Sequence, residues 1–269
     1  MRRRARPSRR PAEPKAAAAG PRPPGTSAGG EPERILSAAA GALGLTLPPA
    51  FPVQIATYLE ALEHWERIGA MTAYRDREAR IRHLVIESLM LLAALPEPAA
   101  PLLDIGTGPG VPGLILKLAR PTWEVVLIEA GRRRANFLRH VARDLGLLNL
   151  GVEWGRAEVL GSGVLAGRFR TVTMRAVAAG SAAEALAAPF LRPDGVLAVS
   201  LGPTAAALRG TRRQITLALP GELPWRREFL IIRSTELDPD VSRGTRRATD
   251  PQHRSREPEG RRRKDHDGR

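Results

Sequence analysis

The segment Leu102-Leu-Asp104-Ile-Gly106-Thr107-Gly108-Pro-Gly110-Val-Pro-Gly113 sets one carboxylate ahead of three alternating glycines, at the end of an apolar run. Residues without a Cβ let the backbone come close to a ligand and take dihedrals that other residues avoid. No Gly-Lys-Ser/Thr follows, so this is not a phosphate P-loop. Asp104 also sets it apart from the dinucleotide fingerprint, because a carboxylate here suits a ligand carrying a cationic amine better than a pyrophosphate. A glycine-rich turn with no ligand is the plain alternative. A second carboxylate, Glu129, lies 25 residues past Asp104 at the end of another apolar run. In a Rossmann-type site that position accepts hydrogen bonds from both ribose hydroxyls; the plain alternative is a cap for the next helix. A third run ends at Gly155-Arg156-Ala157-Glu158, where an adenine edge would meet backbone and side chain. S-adenosyl-L-methionine has no phosphate, and its methionyl ammonium suits Asp104. A nicotinamide dinucleotide stays open as the alternative.

These residues need a scaffold, and the hydrophobic period supplies one. Helices are expected over Ile35 to Leu45, Phe51 to Ile68 and Glu78 to Leu95. The second carries an apolar stripe of Val53, Ala56, Leu59, Leu62 and Ile68; the third carries Ile81, Val85, Leu89 and Leu92 and stops at Pro96. The period then changes. Strands are expected at Pro101 to Ile105, Glu124 to Ile128, Leu150 to Trp154, Arg170 to Met174 and Val196 to Leu201, with an antiparallel end pair at Ile215 to Leu219 and Glu228 to Ile232. Helices over Val111 to Ala119, Arg132 to Leu145 and Ser181 to Leu191 alternate with them. The alternation predicts a doubly wound α/β sheet whose ligand sits beyond the C-terminal strand ends. Four regions follow: a basic tail at 1–30, a helical extension at 31–98, the α/β domain at 99–237, and a charged tail at 238–269.

Charge divides the same way. Of the net charge of +14, residues 1–30 carry +7 and residues 238–269 carry +3, leaving +4 for the 207 residues between. Both ends hold too little apolar surface to offset ordering entropy and read as disordered. Their charge suits an anionic partner such as RNA, and an Arg-rich compositional habit is the other reading. The chain has no Cys, which excludes disulfides, thiolate metal sites and a cysteine nucleophile, and its 5 His are scattered, so no metal is expected. No apolar run is long enough to span a membrane, and the basic start lacks the apolar core of a secretory signal. Arg132, Arg133, Arg134, Arg139 and Arg143 crowd one helix, as a solvated face or as phosphate contacts. Trp65, Trp154 and Trp225 read as packing residues, and aromatics, at 4%, are too few for a base-stacking platform.

The blocks LLDIGTGPGVPGLILKLARP, VVLIEAGRRRANFLRHV, WGRAE and MRAVA together resemble the bacterial small-subunit ribosomal RNA guanine-N7 methyltransferase G family, over about Phe51 to Ser234. The resemblance implies a class I S-adenosylmethionine-dependent methyltransferase with an N-terminal helical extension. Its partner would be 16S rRNA or the small ribosomal subunit, and it would act as a cytoplasmic monomer. It implies that Asp104, Gly106, Thr107, Gly108, Gly110, Glu129, Ala157, Glu158 and Arg175 hold the cofactor. Arg175, after the fourth strand, would stand near the methyl group as the catalytic residue. Arg82, His83, Ser88 and Arg227 would face the base or RNA. The chain departs from the family at Ala70-Met71-Thr72, where the family has Asn-Leu-Thr. At Leu201-Gly202 a lysine is replaced, and Glu228 follows Arg227 in place of His. These departures fall on the RNA side. Guanine N7 presents an exposed lone pair, so methyl transfer to it needs no general base, only proximity and orientation.

Overall fold

A computed structural model of the chain describes residues 31–175, 181–201, 210–219 and 224–237. Both expected tails, Gly202 and the residues just after Arg175 lie outside them. The element order is α1 (Glu31–Ala42), α2 (Phe51–Glu66), α3 (Arg77–Arg80), a π-helical stretch (Ile81–Ile86), α4 (Glu87–Ala94), β1 (Leu102–Ile105), α5 (Gly113–Ala119), β2 (Val125–Glu129), α6 (Arg132–Asp144), β3 (Leu150–Trp154), α7 (Ala157–Leu160), β4 (Phe169–Arg175), α8 (Ser181–Ala187), a 3-10 turn (Ala188–Phe190), β5 (Leu191–Ser200), β6 (Thr211–Leu217), β7 (Trp225–Arg233) and a 3-10 turn (Ser234–Glu236). The sheet runs β3-β2-β1-β4-β5-β7-β6. The first five strands are parallel, and β7 lies antiparallel to both β5 and β6. This is the expected doubly wound sheet with its antiparallel end pair.

Strand residues alternate between two cores, as the period of two requires. Leu102, Val125, Leu127, Val196, Phe229 and Ile231 face α1, α2, α4, α5 and α6. Leu103, Val126, Ile128, Val172, Leu197 and Leu230 face the opposite layer with α8. The N-terminal helices therefore share the first core with α5 and α6. Several expected bounds shift for identifiable reasons. Strand β5 begins at Leu191, β6 at Thr211 and β7 at Trp225, earlier than the apolar runs, because those opening residues are mostly solvent-facing and polar. The α2 stripe is rotated: Val53 and Ile68 are 51% and 66% exposed, while Phe51, Ile55 and Tyr58 are buried. Helix α2 ends at Glu66, so Ile68 falls past it, and Tyr58 turns inward to donate its hydroxyl to the Pro109 carbonyl at 3.1 Å.

The third expected helix is continuous from 77 to 94 but widens in the middle. Its N-terminus is capped by Asp76, whose carboxylate accepts from the Ala79 amide at 2.7 Å. The π-helical turn that follows changes the angular register, so Leu84, Val85 and Ile86 are all buried. Such turns recur at functional sites. Here the turn carries Arg82 and His83.

Candidate cofactor pocket and substrate face

Strands β1, β2 and β4 end at one edge of the sheet, and there the chain turns through the glycine loop. Gly106, Gly108 and Gly110 have φ of +67°, +59° and +102°, the left-handed region that glycine permits. Two of the loop's glycines answer to different demands. A Cβ on Gly113 would stand 2.6 Å from the Asp104 Cβ, so protein packing requires that glycine. A Cβ on Gly108 would meet nothing closer than 4.0 Å, so its space is open toward a ligand.

Two buried carboxylates fix the loop. Glu129, 2% exposed, accepts from the Gly108 amide on Oε2 at 2.9 Å. Its Oε1 accepts from the Gly131 amide at 2.7 Å and from Arg134 Nε at 2.8 Å. Glu129 thus ties the loop after β1 to the turn before α6, and Oε2 keeps a lone pair for another donor. Asp104 is wholly buried; Oδ2 accepts from the Gly113 amide at 2.9 Å and Oδ1 from the Thr173 hydroxyl at 2.8 Å. Burial pushes the Asp104 carboxyl up from 3.8 to about 6, against the Thr107 hydroxyl, the Gly113 amide, the Thr173 hydroxyl and Arg175, which pull it down. Asp104, expected near a cationic amine of the cofactor, turns both carboxylate oxygens inward to the protein. With no exposed surface, Asp104 serves as the cap at the start of α5 and as the anchor of the loop. Thr107 is likewise buried at 1% exposure.

Beyond β3, Ala157 is buried at the start of α7, and Glu158 is exposed beside it. Trp154, read from sequence as packing, is 52% exposed at the end of β3, in register with Glu129, and its Nε1 donates to the Ala130 carbonyl at 3.0 Å. The arginines of α6 divide between uses. Arg134 pairs with Glu129, Arg133 donates to the Ala70 carbonyl at 3.0 Å, and Arg139 donates to the Val152 carbonyl at 3.0 Å.

Next to the pocket, side chains from two distant strands and from one turn back on the same helix meet on Glu87. Arg175 at the end of β4 donates NH1 to the His83 carbonyl at 2.8 Å and sets NH2 3.2 Å from Glu87 Oε2. Arg227 on β7 reaches Glu87 Oε1 with Nε at 2.8 Å and NH2 at 2.6 Å. His83 Nδ1 lies 3.0 Å from the same oxygen. Aromatic rings wall this cluster. Tyr74 stacks on His83 at 4.5 Å, Trp225 meets His83 edge-on at 5.5 Å, and the Arg227 guanidinium lies 4.7 Å from the Trp225 ring centre. Tyr74 is presented by a loop that Arg80 and Glu66 hold: Arg80 pairs with Glu66 and donates Nε to the Tyr74 carbonyl at 3.1 Å.

Of the expected substrate-facing residues, Arg175, His83 and Arg227 come together. Arg82 stands at the margin, 3.4 Å from Glu78 and 5.8 Å from the Trp225 ring centre. Ser88 does not belong: it is 1% exposed and donates to the Leu84 carbonyl at 2.6 Å, one helical turn back. Glu87 stood beside His83 in the sequence as part of a site-facing surface, whereas Tyr74 was not marked and Trp225 was expected to pack. Glu87 stands four residues after His83 and Trp225 two residues before Arg227 on a strand, so both spacings carried a usable signal. Among the described residues no group of three or more His, Asp or Glu could hold a metal ion, and no helix is long and apolar enough to cross a membrane.

The family described as rRNA small subunit methyltransferase G matches this chain over residues 53–215. Ribosomal RNA small subunit methyltransferase G of Sorangium cellulosum is 40% identical over 166 residues, which cover 61% of this chain and 70% of that protein. The protein of the same description from Chloroflexus aggregans is 36% identical over 224 residues, covering 80% of this chain and 94% of its own length. Among solved structures, a methyltransferase from Geobacter sulfurreducens overlays 74% of this chain and 95% of its own, at 17% identity and a TM-score of 0.45.

Proposed function

The chain belongs to the rRNA small subunit methyltransferase G family, and from that premise we propose that it moves the methyl group of S-adenosyl-L-methionine to N7 of a guanine in 16S rRNA. The observation that carries this reading is a pair of neighbouring arrangements at one sheet edge: an open glycine loop tethered to Glu129, and a cluster of Arg175, Arg227 and His83 gathered by Glu87. The residues present fit the cofactor. Gly108 leaves room against the loop, Glu129 Oε2 has capacity for a ribose hydroxyl, and Ala157 offers a small side chain where an adenine edge would lie. Asp104 acts from behind, holding the loop and the first turn of α5.

When bound, S-adenosylmethionine supplies an electrophilic methyl on a sulfonium. The guanine N7 lone pair attacks without losing a proton, so the chain's own residues need only bind and orient. Arg175, fixed by the His83 carbonyl and Glu87, orients the base or the adjoining backbone; Arg227, His83 and the Trp225 ring extend that surface. Methylation at N7 leaves a cationic ring. A lone arginine would repel it, whereas Glu87 offsets the charges of Arg175 and Arg227 and keeps the surface tolerable for the product. An rRNA target must present its base unstacked. The proposed setting is the cytoplasm, with one copy of the chain acting on the small subunit.

The test is to incubate the protein with undermodified 30S subunits and methyl-labelled cofactor and to map the labelled base. Label at a guanine N7 of 16S rRNA is the expected result; label on another base, or none on rRNA, overturns it.

A further inference from the structure

The edge of the sheet opposite the cofactor pocket also carries a concavity. Where β4 and β5 begin and β7 ends, the chain encloses a cavity of about 120 Å³, walled in part by Pro98, Arg170, Asp194, Thr211, Arg213 and Arg233. It lies in the notch left where α4 stops at Ala94, on the face that the N-terminal helices cover higher up. The strand register mounts its arginines rigidly: Arg213 on β6 pairs with Phe229, and Arg233 on β7 pairs with Val196. Both therefore share one face with Ile231.

The charges do not balance. Arg170 donates Nε to the Pro98 carbonyl at 2.7 Å and pairs with Asp194, which Arg192 also reaches at 3.3 Å. Glu236 accepts the Arg233 backbone amide, not its guanidinium, at 3.0 Å. Three guanidiniums, of Arg170, Arg213 and Arg233, thus line the cavity beside one carboxylate, Asp194. Among the described residues neither Arg213 nor the Arg233 guanidinium has a carboxylate partner. Planar donors lining a small cavity, with Thr211 adding a hydroxyl, suit the oxygens of a phosphate group.

We propose that this cavity is a phosphate-binding site, distinct from the cofactor pocket, and that it takes a backbone phosphate of the RNA substrate. The assignment to RNA rests on the function proposed above. Strand β4 spans 7 residues from this edge to Arg175, about 20 Å at ~3.3 Å per residue. That reach exceeds a single nucleotide and suits a folded RNA that presents one base at Arg175 and a separate stretch of backbone here.

The test uses the full chain and the variant carrying Arg213→Ala and Arg233→Ala. Three measurements are made: binding of undermodified 30S subunits without turnover, KM and kcat for their methylation, and calorimetric titration with inorganic phosphate. The expected result is about a 10-fold rise in the Kd and KM for subunits, with kcat and S-adenosylmethionine affinity kept. The log–log salt slope of subunit binding should fall by about 1 to 2. Arginine-to-lysine changes at both positions should recover much of the loss. Wild-type subunit affinity and salt slope in the alanine variant would overturn the RNA assignment. If phosphate titrates the wild type but not the variant while subunit affinity is unchanged, the site is one for free phosphate and the RNA source is wrong. If phosphate fails to bind and subunit affinity is unchanged, the site itself is wrong. Subunit binding is read without methylation, so failure here is distinguishable from failure of the proposed activity.

Discussion

The two halves of the functional edge are built on opposite plans. On the cofactor side, buried carboxylates bond largely to nearby backbone: Asp104 holds an amide 9 residues away and Glu129 one 21 residues away, with the Thr173 hydroxyl of β4 as Asp104's distant partner. On the substrate side, half-exposed cations are drawn together over much longer spans. Arg175 reaches a carbonyl 92 residues back, and Arg227 a carboxylate 140 residues back. The first plan gives a cradle whose shape follows mainly from one βαβ unit, braced by Thr173 on β4. The second gives a surface whose composition can change residue by residue while the cradle stays intact. Leu201 packs against the second core rather than offering a charge.

If the halves are separable, variants should break one and spare the other. The largest effect is expected from Gly108→Arg, which fills the open space at the loop and forces a positive φ on a residue with a Cβ. Cofactor binding by calorimetry should weaken by about 100-fold or more while the far-UV spectrum is kept. Arg175→Ala should leave cofactor affinity within about twofold yet slow methyl transfer by roughly 100-fold, the scale of lost orientation, in single-turnover assays. Glu87→Gln should have the smaller effect of about 10-fold on kcat/KM by loosening Arg175 and Arg227 together, with Glu87→Asp restoring part of it. Asp104 gives a pH test of the cradle. Its carboxyl is raised from 3.8 to about 6 by burial, so the folded state holds the proton more tightly than the unfolded chain, and stability falls as pH rises through that window. Asp104→Asn should flatten this part of the denaturation profile, worth up to about 3 kcal/mol between pH 4 and 7. The smallest effect belongs to Ser88→Ala. It removes one buried hydroxyl bonded within its own helix, so about 1 kcal/mol of stability and no change in subunit affinity are expected.

Legibility in the sequence followed the same division. The parallel strands β1, β2 and β4 were marked by short, mostly apolar runs because strands buried on both faces admit little else, the edge strand β3 carried a weaker signal, and the antiparallel pair was recognisable although its exposed, charged beginnings were not. Glycine spacing exposed the loop, and Glu129 stood where a Rossmann-type ribose ligand would. Less legible was what each carboxylate touches. That Asp104 is wholly buried and bonds to the Gly113 amide and the Thr173 hydroxyl was not legible, since the spacing of a motif says nothing of which atoms packing will cover. Ser88 next to Glu87 shows the same limit: neighbours in a helix point about 100° apart, so one faces the cluster and the other the core.

What the sequence by itself determined is the order of elements, the strand–helix alternation, the glycine loop after β1 and the acidic residue after β2. Each is a local, periodic property of the backbone, carried by residues within one turn or one strand of one another. Only the tertiary structure decided that Arg175, Arg227 and His83 share one carboxylate, that Arg134 belongs to Glu129 rather than to solvent, and that Arg170, Arg213 and Arg233 border a common cavity. Those pairings depend on strand order and register, where a shift of one residue turns a side chain to the other face of the sheet.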